Sequence, residues 1–189
     1  MWLKIGGGVV GALLLFLLVS GGLAAKSHVA TVKATFAKPA ADVWQRVTDH
    51  ATQPKWRKDL KSLSMLPPAD GKTCFEEEGE FGKVRFVVDE VVAPTRYVVR
   101  IASTDLGYRG RWVYELTPGP LVAGGGAYTA TTLSITEEGE VTSFLFRALS
   151  PFFSKTATIE KYLVALGGDL ELDVKLEVVV APGRDGGGG

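Results

Sequence analysis

Cysteine occurs once, at Cys74, which excludes an intramolecular disulfide and any zinc site built on cysteines. Histidine occurs only twice, at His28 and His50, so a three-histidine metal centre is ruled out and no metal is expected. An excess of one charge is missing as well. The 21 basic residues balance 21 acidic ones, which leaves no electrostatic reason to expect nucleic acid as a partner. No G-x-S-x-G, H-E-x-x-H, C-x-x-C or P-loop pattern is present, so no catalytic residue and no cofactor is assigned. What remains is room. A chain of 189 residues, less an apolar leader and a glycine-ended tail, suffices for one domain with a real core.

The leader is the run Ile5–Ala25, IGGGVVGALLLFLLVSGGLAA, uncharged and flanked by Lys4 and Lys26. As a helix it would span roughly 30 Å, one hydrocarbon thickness. Two readings stay open. An uncleaved single-pass anchor is favoured, with the membrane as partner through residues 5–25; a cleaved signal peptide is the rival, because Gly22-Leu23-Ala24 has the small-x-small form of a cleavage site. Lysines on both sides leave orientation poorly fixed, and a short N-terminus before a long chain points to an exported domain.

His28–Phe36 alternates Val32, Ala34 and Phe36 with Thr31, Lys33 and Thr35, the pattern of a half-buried first strand. Pro39 then stands where a helix begins, and Ala40, Val43, Trp44, Val47 and Ala51 fall on one side of it. Pro54 is expected to end that helix, with Trp56 just beyond. Trp44 reads as core, whereas Trp56 reads as core filling or as a pocket wall. A candidate strand at 60–66 is closed by Pro67-Pro68, and Cys74–Phe81 and Val84–Val92 follow. Next come Arg96–Ala102 and a strand in which Tyr108, Gly110, Trp112, Tyr114 and Leu116 share a face. Pro118-Gly119-Pro120 and Gly124-Gly125-Gly126 are expected to bracket a connector, and Glu137-Glu138-Gly139 to form a turn after the strand Tyr128–Thr136. Short strands at hairpin spacing give an antiparallel sheet. Ile159, Tyr162, Leu163, Leu166 and Leu170 then mark an amphipathic helix. Residues 171–189 form an extension, strand-like to Val180 and partly disordered beyond.

Strand, two short helices, about six antiparallel strands and a long last helix is the order of a curved sheet gripping that helix. At Val43-Trp44…Val47…Asp49…Trp56 the chain resembles the SRPBCC superfamily of START-like and polyketide cyclase/dehydrase-like proteins. Thr131–Gly139 is similar to its last-strand pattern, and Phe146-Arg147 followed by Ile159–Leu163 to its approach to the closing helix. The resemblance covers about residues 28–170, and bacterial members with a leader are known. It implies an α+β helix-grip fold for a domain at 27–170, behind an anchor or signal segment at 1–26. The segment after Leu170 departs from the usual ending at the helix. The resemblance also implies a deep apolar cavity between sheet and helix, and a small hydrophobic ligand, lipid or polyketide-like, as partner.

Three functions follow: a membrane-anchored binding or carrier protein, an enzyme of the cyclase or dehydratase type, or an interaction module using the aromatic segment Phe144–Phe153. Trp56, Phe86, Trp112, Tyr114, Phe153 and Tyr162 are the cavity candidates. For an enzyme, Arg100, Arg109, Arg111, Asp89 or Glu90 would supply the polar groups. His50 reads as a solvent-facing or capping residue, Cys74 as an ordinary strand cysteine, and the glutamates at 76–80 as a solvated hairpin end.

Overall fold

A computed structural model of the protein describes residues 25–80, 82–123, 126–149 and 154–179. The leader and residues 150–153 lie outside that range, so the expected anchor and Phe153 do too. Among the described residues no helix is long and apolar enough to cross a membrane.

The first strand, β1 (Ser27–Phe36), turns at Pro39 into α1 (Ala40–Thr48), and a second short helix follows, α2 (Gln53–Trp56). Six strands come next: β2 (Ser62–Ala69), β3 (Lys72–Gly79), β4 (Gly82–Val92), β5 (Arg96–Ile101), β6 (Tyr108–Ala123) and β7 (Gly126–Val141). Two helices, α3 (Phe144–Leu149) and α4 (Ala157–Asp169), and a last strand, β8 (Leu176–Val179), complete the described chain. The strands form one antiparallel sheet in the order β2-β3-β4-β5-β6-β7-β1-β8. The expected α+β class is found, with a curved sheet around α4.

Alternation along β1 sends Ala30, Val32, Ala34 and Phe36 to the concave face, where Phe36 is fully buried. From α4, Ile159, Tyr162, Leu163 and Leu166 meet them at helical spacing. Leu133 and Ile135 of β7 and Tyr114 and Leu116 of β6 close the same core. Val43 and Val47 of α1 are buried as expected, while Trp44 is half-buried, edge-on to Tyr97 at 6.1 Å.

Four boundaries differ from expectation, and all of them involve proline or glycine. Pro54 does not end α1, which stops at Thr48 as Asp49 leaves the helical region; it sits in the first turn of α2, where its missing N–H costs no bond. Pro67-Pro68 lies inside β2, tolerated because β2 is the sheet's edge strand and its register shifts between Leu66 and Ala69. The connector expected at 118–126 is instead one long hairpin, paired from Tyr108 with Val141 to Ala123 with Gly126. Leu116 N–H donates to Thr95 O, on the β5 side of β6. Pro118 and Pro120 share that direction but lie past the end of β5, where no strand requires their N–H. The turn expected at 137–139 is likewise unbroken strand, because β1 pairs with it on one side and β6 on the other.

Past Leu170 the chain folds back. Leu172 N–H donates to Gly167 O, and Val174 packs so tightly that a methyl on Gly167 would lie 2.9 Å from its Cγ2. The strand-like alternation expected for this extension is found at β8, which pairs with β1.

Candidate functional site

The polar interior begins with α2. Its single turn brings Gln53 and Arg57, four residues apart, to the same side and turns both inward; they are 4% and 8% exposed. Arg57 Nη1 donates to Glu77 Oε1 at 2.6 Å and Nη2 to Glu77 Oε2 at 3.1 Å, a bidentate pair. Nη2 also donates to Asp59 Oδ2 at 2.8 Å, and Nη1 to Gln53 Oε1 at 3.0 Å. Burial works against the Arg57 charge, but Glu77 and Asp59 outweigh it and hold the guanidinium firmly protonated. The guanidinium also lies over the Tyr162 ring, 5.3 Å from its centroid.

Gln53 relays this order to His50. Its Nε2 donates to Val47 O at 2.9 Å and approaches His50 Nδ1 at 3.5 Å, so His50 holds its proton on Nε2 and donates it to Tyr97 Oη at 2.9 Å. The imidazole stacks on Phe75 with centroids 4.2 Å apart. Burial lowers the His50 pKa, Asp49 opposes it and Arg57 adds to it, and the net value is about 4. The reading of His50 as solvent-facing is therefore corrected. So is the solvated hairpin end at 76–80, because Glu77 turns inward to Arg57 while Glu76 binds Lys83 and Arg85 outside.

Above this network Trp56, Tyr162, Tyr114 and Trp112 interlock, with centroids 5.4 Å, 5.7 Å and 6.1 Å apart in sequence. Tyr162 Oη and Trp56 Nε1 are buried and make no hydrogen bond. Burial raises the Tyr114 and Tyr162 pKa values, so both phenols stay neutral.

Trp112 is where this aromatic wall meets open space. A cavity of about 450 Å³ lies on the concave face beside the N-terminal end of α4. Ile101, Tyr108, Trp112 and Val141 line it from the sheet, and Phe146, Lys155 and Thr158 from the helical side. Opposed residues share a face, so the pairings His28 with Gly139, Gly110 with Gly139, and Trp112 with Glu137 put all of them on this wall. Gly139 carries the His28 ring on its bare backbone, where a methyl would collide with the imidazole. His28 Nε2 then lies 3.5 Å from Glu137 Oε1. Tyr108 stands nearby, its pKa raised by burial and then by Glu137. The wall is thus mixed: apolar side chains stand beside the His28–Glu137 pair, and Arg109, Arg111, Glu140 and Lys155 also border the space. A wider depression of about 820 Å³ between Lys55, Lys58, Lys161 and Val164 lies on the outer side of α4, away from the concave sheet.

Of the cavity candidates, Trp112 lines this space directly. Trp56 instead lines the 820 Å³ depression, Tyr114 and Tyr162 are buried behind the cavity, and Phe86 is half-buried, stacked on Phe75 at 5.2 Å. Phe153 lies outside the described residues. Of the polar candidates, Arg109 and Arg111 border the cavity, paired with Glu140 and Glu138, whereas Arg100 and Asp89 pair with each other and Glu90 with Arg96 away from it. Arg57, Glu77 and Gln53 turn inward, and His28 joins the cavity wall. Their signal in the sequence was slight: arginine four residues after a glutamine, and a histidine in phase with Val32, Ala34 and Phe36.

An antiparallel sheet curled around one long helix, with a cavity between them, defines a helix-grip protein. The chain belongs to the polyketide cyclase/dehydrase and lipid transport family, whose model matches residues 27–165. Among solved structures it is similar to norcoclaurine synthase from Thalictrum flavum, with 14% identity, 83% of this chain and 94% of that chain covered, and a TM-score of 0.58. A START superfamily protein from Mycobacterium smegmatis gives 16% identity, 76% and 97% coverage, and a TM-score of 0.55. The Zhui aromatase/cyclase from Streptomyces sp. R1128 gives 12% identity, 77% and 94% coverage, and a TM-score of 0.58. At these identities the likeness is one of fold. No curated protein sequence matches the chain.

Proposed function

We propose that this chain is a membrane-tethered binding protein or carrier for a small, largely apolar molecule. The observation that carries the reading is the 450 Å³ cavity on the concave face, where Ile101, Tyr108, Trp112, Val141 and Phe146 give an apolar lining and His28, Arg109, Arg111, Glu137, Glu140 and Lys155 border it. That volume falls within the roughly 300–1,000 Å³ of small-molecule sites. Family membership supports it, and so does the uncharged run at 5–25, which supplies the tether. The ligand fits with its apolar body against Trp112 and Ile101 and a hydrogen-bonding group toward His28. Thr158 is exposed on the cavity rim, so Thr158→Trp is expected to fill the space without unfolding the chain. Titration of the full chain in detergent with a fluorescent fatty-acid analogue should show binding that this variant weakens at least about tenfold, the loss of one buried apolar contact surface. Absence of uptake by the parent would sink the reading.

One observation favours the cyclase or dehydratase reading as a second. A histidine beside a carboxylate on a cavity wall is equipped to take a proton from a bound molecule and return it elsewhere. His28→Gln should then lower turnover of an aromatic polyketide panel by about 10²-fold, the usual worth of a general acid–base group. Equal turnover by parent and variant, or none by the parent, removes the enzyme reading.

A further inference from the structure

The last residue of the leader, Ala25, stands at the cavity. The uncharged run ends at Ala25 and β1 begins at Ser27, so a single residue, Lys26, and at most about 7 Å of chain separate them. Ala25 and Ser27 themselves line the cavity. Lys26 O accepts from Val141 N–H at 2.7 Å, and α3 starts three residues after Val141. Gly107 O accepts from both Thr142 N–H and Ser143 N–H, which fixes α3 beside the start of β1.

Helix α3 is built unlike the rest of the domain. Phe144, Leu145 and Phe146 are 41%, 56% and 49% exposed, and only Ala148 is buried. Three adjacent large apolar side chains cannot all face one core, and a helix this short is not held by its own propensity. It carries no acidic residue in its first turn, and Lys26 and Lys155 stand exposed near it.

We propose that α3 docks in the headgroup layer of a bilayer, so that the cavity mouth between Ser27 and Phe146 opens onto lipid and takes its ligand directly from the membrane. This rests on the binding reading above and names the source of the ligand. Without a linker, a chain anchored through 5–25 presses the surface around Ala25 against the membrane. That surface is α3, and its apolar side chains with flanking lysines suit anionic headgroups over an acyl layer.

The test uses the full chain in vesicles of phosphatidylethanolamine and phosphatidylglycerol. A nitroxide is attached through Leu145→Cys, with Met65→Cys on the far edge strand as reference; Cys74 is buried and stays in place. The Leu145 label is expected to meet oxygen several-fold more than a water-soluble nickel chelate, and the Met65 label the reverse. The paired variant Phe144→Ser/Leu145→Ser should slow uptake of a fluorescent lipid analogue from the vesicles about tenfold, the effect of removing two partly buried apolar side chains, and leave its affinity in detergent unchanged. A Leu145 label as wet as the Met65 label, or unchanged uptake, overturns the proposal. Spin–spin broadening at Leu145 overturns it in favour of a second copy of the chain. A chain that does not float with the vesicles overturns the tether and the docking together. A Leu145 label in lipid on a chain that binds no analogue in detergent sinks only the binding reading.

Discussion

Arg57→Ala is expected to destabilise the domain by about 3–5 kcal/mol, read as a lower urea midpoint for the full chain. The cost does not come from the lost attraction alone. Removing the guanidinium leaves the Glu77 carboxylate facing the interior with its side chain 15% exposed, and leaves Gln53 Oε1 without its donor. Water reaches Asp59, whose side chain is 44% exposed, far more readily than the other two. Removing both charges tests the mechanism. Arg57→Met combined with Glu77→Met abolishes the ion and its counter-ion together, and should cost far less than Arg57→Ala. If the single replacement costs under about 1 kcal/mol, the pair is screened as a surface pair would be and the account fails. The same cluster bears on function, since Arg57 backs Tyr162, whose ring contacts the cavity residue Trp112 at 6.1 Å.

Acid is expected to weaken the fold through His50. Its value drops from the ordinary 6.5 to about 4 because burial disfavours the imidazolium, and protonation at Nδ1 would aim an N–H at the Gln53 amide donor. The folded-state value lies below the unfolded one. The stabilisation is therefore complete above about pH 6.5 and is lost as pH falls from there through about 4, a total of about 3 kcal/mol. His50→Gln cannot titrate and should lose this part of the slope. Unfolding free energies of parent and variant at pH 7 and pH 4.5 decide it, because Glu76 and Asp89, both held low by their basic partners, contribute equally to the two proteins. A parental slope that survives in His50→Gln contradicts the assignment.

Legibility followed the range of the interactions. The alternation in β1 and the helical stripe of α4 are written within ten or so residues, and both were read closely. Pro118 and Pro120 misled because a proline breaks a strand only where a neighbour needs its N–H, and the end of β5 is not visible from β6 alone. Gly139 misled for a similar reason. Between charged residues it reads as a turn, yet it lies in mid-sheet, bare so that His28 can rest on it. Tyr108, Gly110 and Trp112 were placed on one face correctly, but the wall they make with His28 depends on a register that joins positions 28 and 139. Arg57 and Glu77 were missed because their pairing depends on the turn of α2 meeting β3, not on any local pattern.

By itself, then, the sequence determined the elements and the class of fold, because apolar periodicity is a local property set by helix and strand geometry. Arginine, glutamate and histidine have no such periodicity, and the chain offers many in equivalent local settings. Only the meeting of Arg57, at the end of α2, with Glu77 of β3 selected it as the buried cation while Arg100, Arg109 and Arg111 stayed exposed. The reason is desolvation: a charge enters the interior only where its partners already wait, and those partners arrive from distant parts of the chain.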